Sequence, residues 1–207
     1  MKKNSTSLYS ILSILLFVIS CSNPNPEKSI KNLKAAITGE SNASSKYAAF
    51  AIKARDEGFD TIAKMFDATS RAEFIHATIH KVELTKLGFE FTATLDSIKL
   101  KTTPENLRAA IDGETYEFTT MYPDFIKVAL EEKMYGADST FNWAMNAEKK
   151  HKDFYQKALE TITASSNENG LSITWAVCPK CGNTFEEGSI DEICSFCKSP
   201  KIIFLTF

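Results

Sequence analysis

The 207-residue chain has no surplus of positive charge: 24 lysines and arginines stand against 26 aspartates and glutamates, for a net charge of −2. Nucleic-acid binders concentrate a basic face, so that class of partner is set aside. A long apolar run is also missing. The stretch from Leu8 to Ile19 has twelve residues, whereas a membrane-spanning helix needs about 20. Histidine is scarce, with three residues, and there are only five cysteines, so the position of each one is informative. The apolar fraction of 43% still supplies a core for one ordinary domain and a small appendage.

The start of the chain reads as an export signal. Lys2 and Lys3 precede the apolar stretch, and Val18-Ile19-Ser20-Cys21 closes it. This tetrapeptide resembles the lipobox of bacterial lipoproteins, in which the cysteine is acylated and becomes the new N-terminus. The expectation is a signal peptide over 1–20, lipidation at Cys21 and a tether over 21–26. That makes the protein an exported bacterial lipoprotein, membrane-anchored on the periplasmic or outer-membrane side. Loss of Lys2 and Lys3 leaves 22 basic against 26 acidic residues, a mature net charge of −4. With one cysteine on lipid and four on metal, no odd thiol remains.

From Pro26 the pattern is helical. Asn25-Pro26-Glu27 has cap, first-turn proline and first-turn acid in the favoured order, and Ile30, Leu33, Ala36 and Ile37 recur at helical spacing. The spacing predicts helices over 27–57, 61–87, 104–134 and 138–164. Gly58 ends the first, Asp60 caps the second, Gly88 ends it, and Gly136 with Asp138 turns the chain into the fourth. Pro123 predicts a kink in the third. The stretch 88–103 has no helical period. Its 16 residues extended reach about 53 Å, and a 27-residue helix is about 40 Å long, so it can cross a bundle lengthwise. One such crossover defines a ferritin-like bundle. The fold class is therefore mainly α, a ferritin-like four-helix bundle over 27–165, a linker over 166–172 and a small β-rich metal domain over 173–207.

The halves repeat. Leu33 to Glu40 matches Leu107 to Glu114 at an offset of 74, and Glu73-x-x-His76 matches Glu148-x-x-His151 at an offset of 75. Residues three apart share a helix face, so each Glu-x-x-His pair is expected to grip one ion while Glu40 and Glu114 bridge two. Such a donor set suits iron or manganese. Tyr47 and Tyr122 are expected to hydrogen-bond the ligand carboxylates. His80, one turn beyond His76 and within reach of the site, is read as a structural or surface residue.

After the linker come Cys178-x-x-Cys181 and Cys194-x-x-Cys197, separated by twelve residues. Paired knuckles of this kind hold one tetrahedral ion through four thiolates, either zinc or iron. Trp175, Phe185, Phe196, Ile202, Ile203, Phe204 and Phe207 are expected to form a small core that the metal completes.

Residues 27–207 resemble rubrerythrin, a di-iron bundle followed by a rubredoxin-like iron domain. The matching segments are Gly39-Glu40-Ser41, Ala72 to His76, Gly113 to Glu117 continuing through Met121-Tyr122-Pro123, Glu148 to His151, and the cysteine cassette. Glu117 separates this family from ferritins and has no partner at the repeat position, Ala43. The resemblance implies iron in both sites and reduction of hydrogen peroxide to water, with electrons relayed through the thiolate iron. It also implies that Glu117 ligates in the oxidised state and His76 in the reduced one, and that the chain forms a head-to-tail homodimer served by a rubredoxin- or reductase-like donor. A ferroxidase or iron-handling protein using oxygen, and a non-catalytic redox carrier or sensor, are the alternatives. Three features depart from the family. Phe74 and Ile75 replace polar residues and suggest a covered outer face, Lys198 follows the second knuckle and is expected to raise the iron's potential, and export is unusual.

Overall fold

The computed structural model describes residues 26–186, 188–190 and 192–207. Cys21 and the expected signal lie outside the described residues. Four long helical runs form the bundle: α1 (Glu27–Asp56), α2 (Asp60–Lys86), α3 (Thr103–Tyr116) continuing through a π-helical segment (Glu117–Met121) into α4 (Tyr122–Glu131), and α5 (Tyr135–Ser165). α1 packs chiefly on α2, and α3 and α4 pack on α5. Among the described residues no helix is long and apolar enough to cross a membrane.

The extended crossover joins α2 to α3 along the bundle. Asn42 pins it midway, its Oδ1 accepting from the Asp96 amide at 2.7 Å. At its far end the Thr103 amide donates to Glu57 Oε2 at 2.7 Å, so α3 begins at the end of the bundle where α1 stops and α2 starts. This is the ferritin-like arrangement.

Three boundaries differ from the sequence reading. Gly136 and Asp138 lie inside α5 rather than in a turn; the turn falls at Glu132 to Met134, where Lys133 takes φ +58°. Asp60 opens α2 but makes no cap. Glu168 caps that helix instead, accepting from the Thr61 and Ile62 amides at 3.1 and 2.6 Å. The third helix does not kink at Pro123 alone. The irregularity lies just upstream, where the Tyr122 amide reaches back five residues to the Glu117 carbonyl. A π turn accommodates one extra residue, and this accounts for the change of repeat offset from 74 at Glu40/Glu114 to 75 at Tyr47/Tyr122.

Remote glutamates also satisfy amides at the starts of α1 and α3. Glu132 accepts from Lys28 and Ser29 at 3.2 and 2.8 Å at the start of α1. At the start of α3, Glu57 joins a Thr102/Glu105 capping box. Each carboxylate meets the positive end of a helix dipole and ties two segments together.

The C-terminal module is a three-stranded antiparallel sheet of order β2-β1-β3, with β1 at Trp175–Val177, β2 at Thr184–Glu186 and β3 at Leu205–Thr206. Trp175 and Phe185 are buried, but Ile202 is 91% and Ile203 45% exposed, so these two do not belong to the expected core. A 3-10 turn over Lys201–Ile203 turns them outward.

Because Glu168 satisfies two α2 amides and anchors the linker, Glu168→Ala is expected to cost about 1 kcal/mol, lowering the thermal midpoint by about 2–4 °C. Differential scanning calorimetry checks this; an unchanged midpoint would show the cap to be dispensable.

Candidate metal centre

Small residues let the helices close at mid-bundle. Ala36 and Ala110 lie one turn before Glu40 and Glu114, while Ala72 and Ala147 directly precede Glu73 and Glu148, and all four alanines are fully buried. Inside this constriction Glu40, Glu73, His76, Glu114, Glu148 and His151 are each 0% exposed. Their donor atoms fall into two overlapping groups of four, Glu40, Glu73, His76 and Glu148 in one and Glu73, Glu114, Glu148 and His151 in the other.

Glu73 and Glu148 belong to both groups. Glu73 Oε2 lies 2.9 Å from His76 Nδ1 while its Oε1 lies 2.9 Å from His151 Nδ1. Glu148 does the same with its two oxygens, at 2.9 and 2.8 Å. The carboxylates placed to bridge two ions would therefore be those of α2 and α5, with Glu40 and Glu114 each offered to one group as a terminal ligand. This reverses the expected roles. Each Glu of a Glu-x-x-His pair sits nearly a turn before its histidine, between the two imidazoles rather than beside one.

The tautomer of His151 follows from its other nitrogen. Thr184 spends its hydroxyl proton on the Gly182 carbonyl at 3.1 Å, so at 2.8 Å it accepts from His151 Nε2–H. Nδ1 then presents a lone pair inward, and although carboxylate oxygens stand at 2.9 and 2.8 Å it makes no hydrogen bond to either. Lone pairs converging without a proton between them need a cation. Unpartnered oxygens on Glu40, Glu73, Glu114 and Glu148 point to the same need.

Electrostatics agree. Burial, then neighbouring carboxylates, push Glu40, Glu114 and Glu148 well above the usual carboxylate range. Burial also pushes up Glu73, but His151 and His76 outweigh it and hold that group low. Glu117 stands outside both groups, half-buried on the π segment, with its Oε1 3.8 Å from where a side chain on Gly39 would begin. Burial and Glu73 raise its carboxyl to about 7.

Two phenols flank the centre. Tyr47 donates to Glu114 Oε1 at 2.5 Å, and Tyr122 donates to Glu40 Oε1. Each anchors an aromatic cluster at matching repeat positions, Tyr47 with Phe50 and Phe66, Tyr122 with Phe125 and Phe141. His80 is fully buried against the second cluster, so the structural half of its reading holds and a surface place does not. The offset of 75 that pairs it with Tyr155 was the available signal. Phe74 is 52% exposed in this chain, whereas Ile75 is core, so only Phe74 faces outward as expected.

The four-cysteine site stands directly above. Cys178 Sγ lies 3.5 Å from Cys197 Sγ and Cys181 Sγ 3.6 Å from Cys194 Sγ, close to the edge of a tetrahedron of thiolates around one ion and far from disulfide contact. Lys198, at φ +62°, directs its ammonium to the Ser195 carbonyl at 3.0 Å. The first knuckle lies on the bundle. Thr184 holds His151, Lys150 Nζ donates to Asn183 Oδ1 at 2.7 Å, and a Cβ on Gly182, at φ +76°, would collide with His76 Nε2. Spacing alone gave no sign of these contacts.

A ferritin-like carboxylate and histidine centre joined to a four-thiolate module defines a di-iron redox protein of the rubredoxin-bearing class. The sequence model of the rubrerythrin family matches residues 31–159, and the chain belongs to that family. It is 36% identical over 180 residues to nigerythrin of Nitratidesulfovibrio vulgaris, covering 86% of each chain. It is 33% identical over 178 residues to rubrerythrin of Porphyromonas gingivalis, covering 86% of this chain and 88% of that one. A solved structure of fully reduced, all-ferrous nigerythrin superposes with a TM-score of 0.76 at 32% identity, covering 96% of this chain and all of that one. The donor sets fit iron in both sites, six carboxylate and imidazole residues for the pair and four thiolates for the single ion.

The raised groups fix a pH dependence. In the metal-free chain Glu40, Glu114, Glu117, Glu148 and His76 keep protons to higher pH than they do unfolded; His80 and His151 shift in the opposite sense, and Glu73, also lowered, is ionised in both states above about pH 5. The folded form therefore holds more protons between about pH 5 and 8, and its stability falls as pH rises. Thermal midpoints of chelator-treated protein are expected to drop across that window and those of iron-loaded protein to stay flat. A midpoint of the metal-free chain that rises with pH would contradict this.

Proposed function

We propose that this protein reduces hydrogen peroxide to water at the dinuclear site, refilled with electrons from the four-cysteine iron. The observation that carries the reading is the seating of the thiolate knuckle on both site histidines in a chain that also carries a spare carboxylate, Glu117. A store for iron requires neither. When bound, two adjacent irons supply together the two electrons that cleavage of the O–O bond consumes, and two protons complete two waters.

The surrounding residues prepare that reaction. Tyr47 and Tyr122 hold the terminal carboxylates in place and neutralise part of their charge. Aromatic layers on both sides exclude water. Glu117, with its carboxyl near 7, can hold and release a proton at the edge of the site. By family resemblance it exchanges places with His76, and the π segment gives its backbone the irregularity such a movement uses. Electrons enter at Cys197, the least buried thiol, from a rubredoxin- or reductase-like donor. A head-to-tail homodimer belongs to this reading too.

The test is to load the full chain with ferrous iron and follow the ferric-thiolate absorption on adding peroxide or air. Oxidation much faster with peroxide is expected, and equal rates with air would overturn the proposal in favour of a ferroxidase. Glu117→Ala is expected to slow peroxide turnover on the order of 10-fold or more; unchanged turnover would remove Glu117 from the mechanism.

The reading places the enzyme outside the cytoplasm on a lipid attached to Cys21. Cys21→Ser is expected to abolish incorporation of labelled fatty acid and to release the protein from the membrane fraction. A variant that still sediments with membranes and labels would disprove the anchor.

A further inference from the structure

The two halves of the centre differ in the buried residue beside each phenol and in that residue's own threonine partner. Each terminal carboxylate receives one phenolic hydrogen bond, Glu114 from Tyr47 and Glu40 from Tyr122. At the offset of 75 that relates the halves, the residue beside Tyr47 is Tyr155 and the residue beside Tyr122 is His80. Tyr155 packs edge-on against Tyr47, with centroids 5.4 Å apart, but sends its hydroxyl to Thr69 Oγ1 at 2.7 Å. His80 instead touches the phenol itself. Its Nε2 lies 3.1 Å from Tyr122 Oη and its Nδ1 lies 3.0 Å from Thr140 Oγ1.

Proton counting gives this chain a direction. A metal-bound Glu40 is a carboxylate, so the single phenolic proton of Tyr122 is committed to it. The Tyr122 oxygen can then only accept from His80, which requires Nε2–H. In the neutral ring Nδ1 then carries the lone pair, and the Thr140 hydroxyl, which lies 3.0 Å from it and 3.1 Å from the Ala137 carbonyl, is the donor within its reach. Thr140, His80, Tyr122 and Glu40 thus form one line of donors running toward the site, all buried, and each link strengthens the next.

We propose that His80 is a positioning residue for the Glu40 half of the centre alone: as the Nε2–H tautomer it locks the Tyr122 hydroxyl onto Glu40 and makes the two metal positions unequal. The inference rests on the dinuclear reading. Loss of the His80 donor frees Tyr122 to rotate and weakens its hold on one ligand, leaving the Tyr47 and Glu114 side untouched.

Zinc, which is diamagnetic, is the probe for the test. A long-range proton–nitrogen spectrum of the zinc-loaded full chain with labelled histidine is expected to show His80 protonated at Nε2 and bare at Nδ1; the opposite tautomer overturns the proposal. Chelator competition then compares wild type with His80→Phe, which keeps a ring and loses the donor, and His80→Gln, whose amide restores one. The Phe variant is expected to lose affinity on the order of 10-fold for one zinc equivalent, with the other equivalents unchanged and the Gln variant close to wild type. Equal retention by the Phe variant, or loss of both site equivalents together, overturns it. Wild-type protein that binds zinc only at the cysteines would instead sink the dinuclear reading, and this inference with it. If the Phe variant does not fold, the tautomer of the wild-type chain decides.

Discussion

Four carboxylates and two imidazoles buried at the middle of an apolar bundle are the constraint on which the structure turns. Each unpaired buried charge would cost several kcal/mol, more than one helix contact can repay. The two overlapping donor groups relieve that cost by holding cations or, in the metal-free chain, by keeping protons, so metal binding, protonation and folding are coupled at this point. Alanines beside the ligands let four backbones approach closely enough to share two ions, and aromatic layers above and below keep water out. Within that dry space every hydrogen bond to a ligand is stronger than it would be at the surface.

The repeat supplies the symmetry of the site, and function resides where the repeat is broken. One break is the extra residue of the π segment, which brings Glu117 to the edge of the centre with no counterpart at Ala43. A second is His80 opposite Tyr155, which gives one terminal carboxylate a line of donors and the other only a phenol. The third is the thiolate module, which meets His151 through a hydroxyl and His76 through the bare backbone of Gly182. A symmetric centre would bind two ions alike. These breaks give each ion a different surrounding.

The helices and the ligand set were legible because they rest on local rules: helical period, Glu-x-x-His spacing and a repeat visible in the letters. What spacing does not encode is rotation about the helix axis relative to its neighbours. Hence Glu73 and Glu148 were expected to serve one ion each, although the packing of α2 against α5 puts both between the two histidines. The helix caps were obscure for a related reason, since Glu57, Glu132 and Glu168 act on amides far away in sequence. The change of offset from 74 to 75 did record the inserted residue, but a π turn has no residue signature of its own, and Pro123 drew attention one step downstream. Contacts between module and bundle depend on how a polar linker folds back, about which its composition is silent.

That fold-back sets how the two kinds of metal site meet. His151 lies 14 residues before the end of α5, a distance of about 21 Å along the helix, so the chain must return over that length to place the knuckle on it. It does so along α2, where β1 packs, after Glu168 fixes the linker at the helix start. Cys181 is bonded to Gly182, and Gly182 lies on His76; one residue and one non-bonded contact separate a thiolate ligand from an imidazole ligand. The thiolate knuckle and the carboxylate centre thus meet through residues of one chain. The glycine that allows it has no room for a side chain.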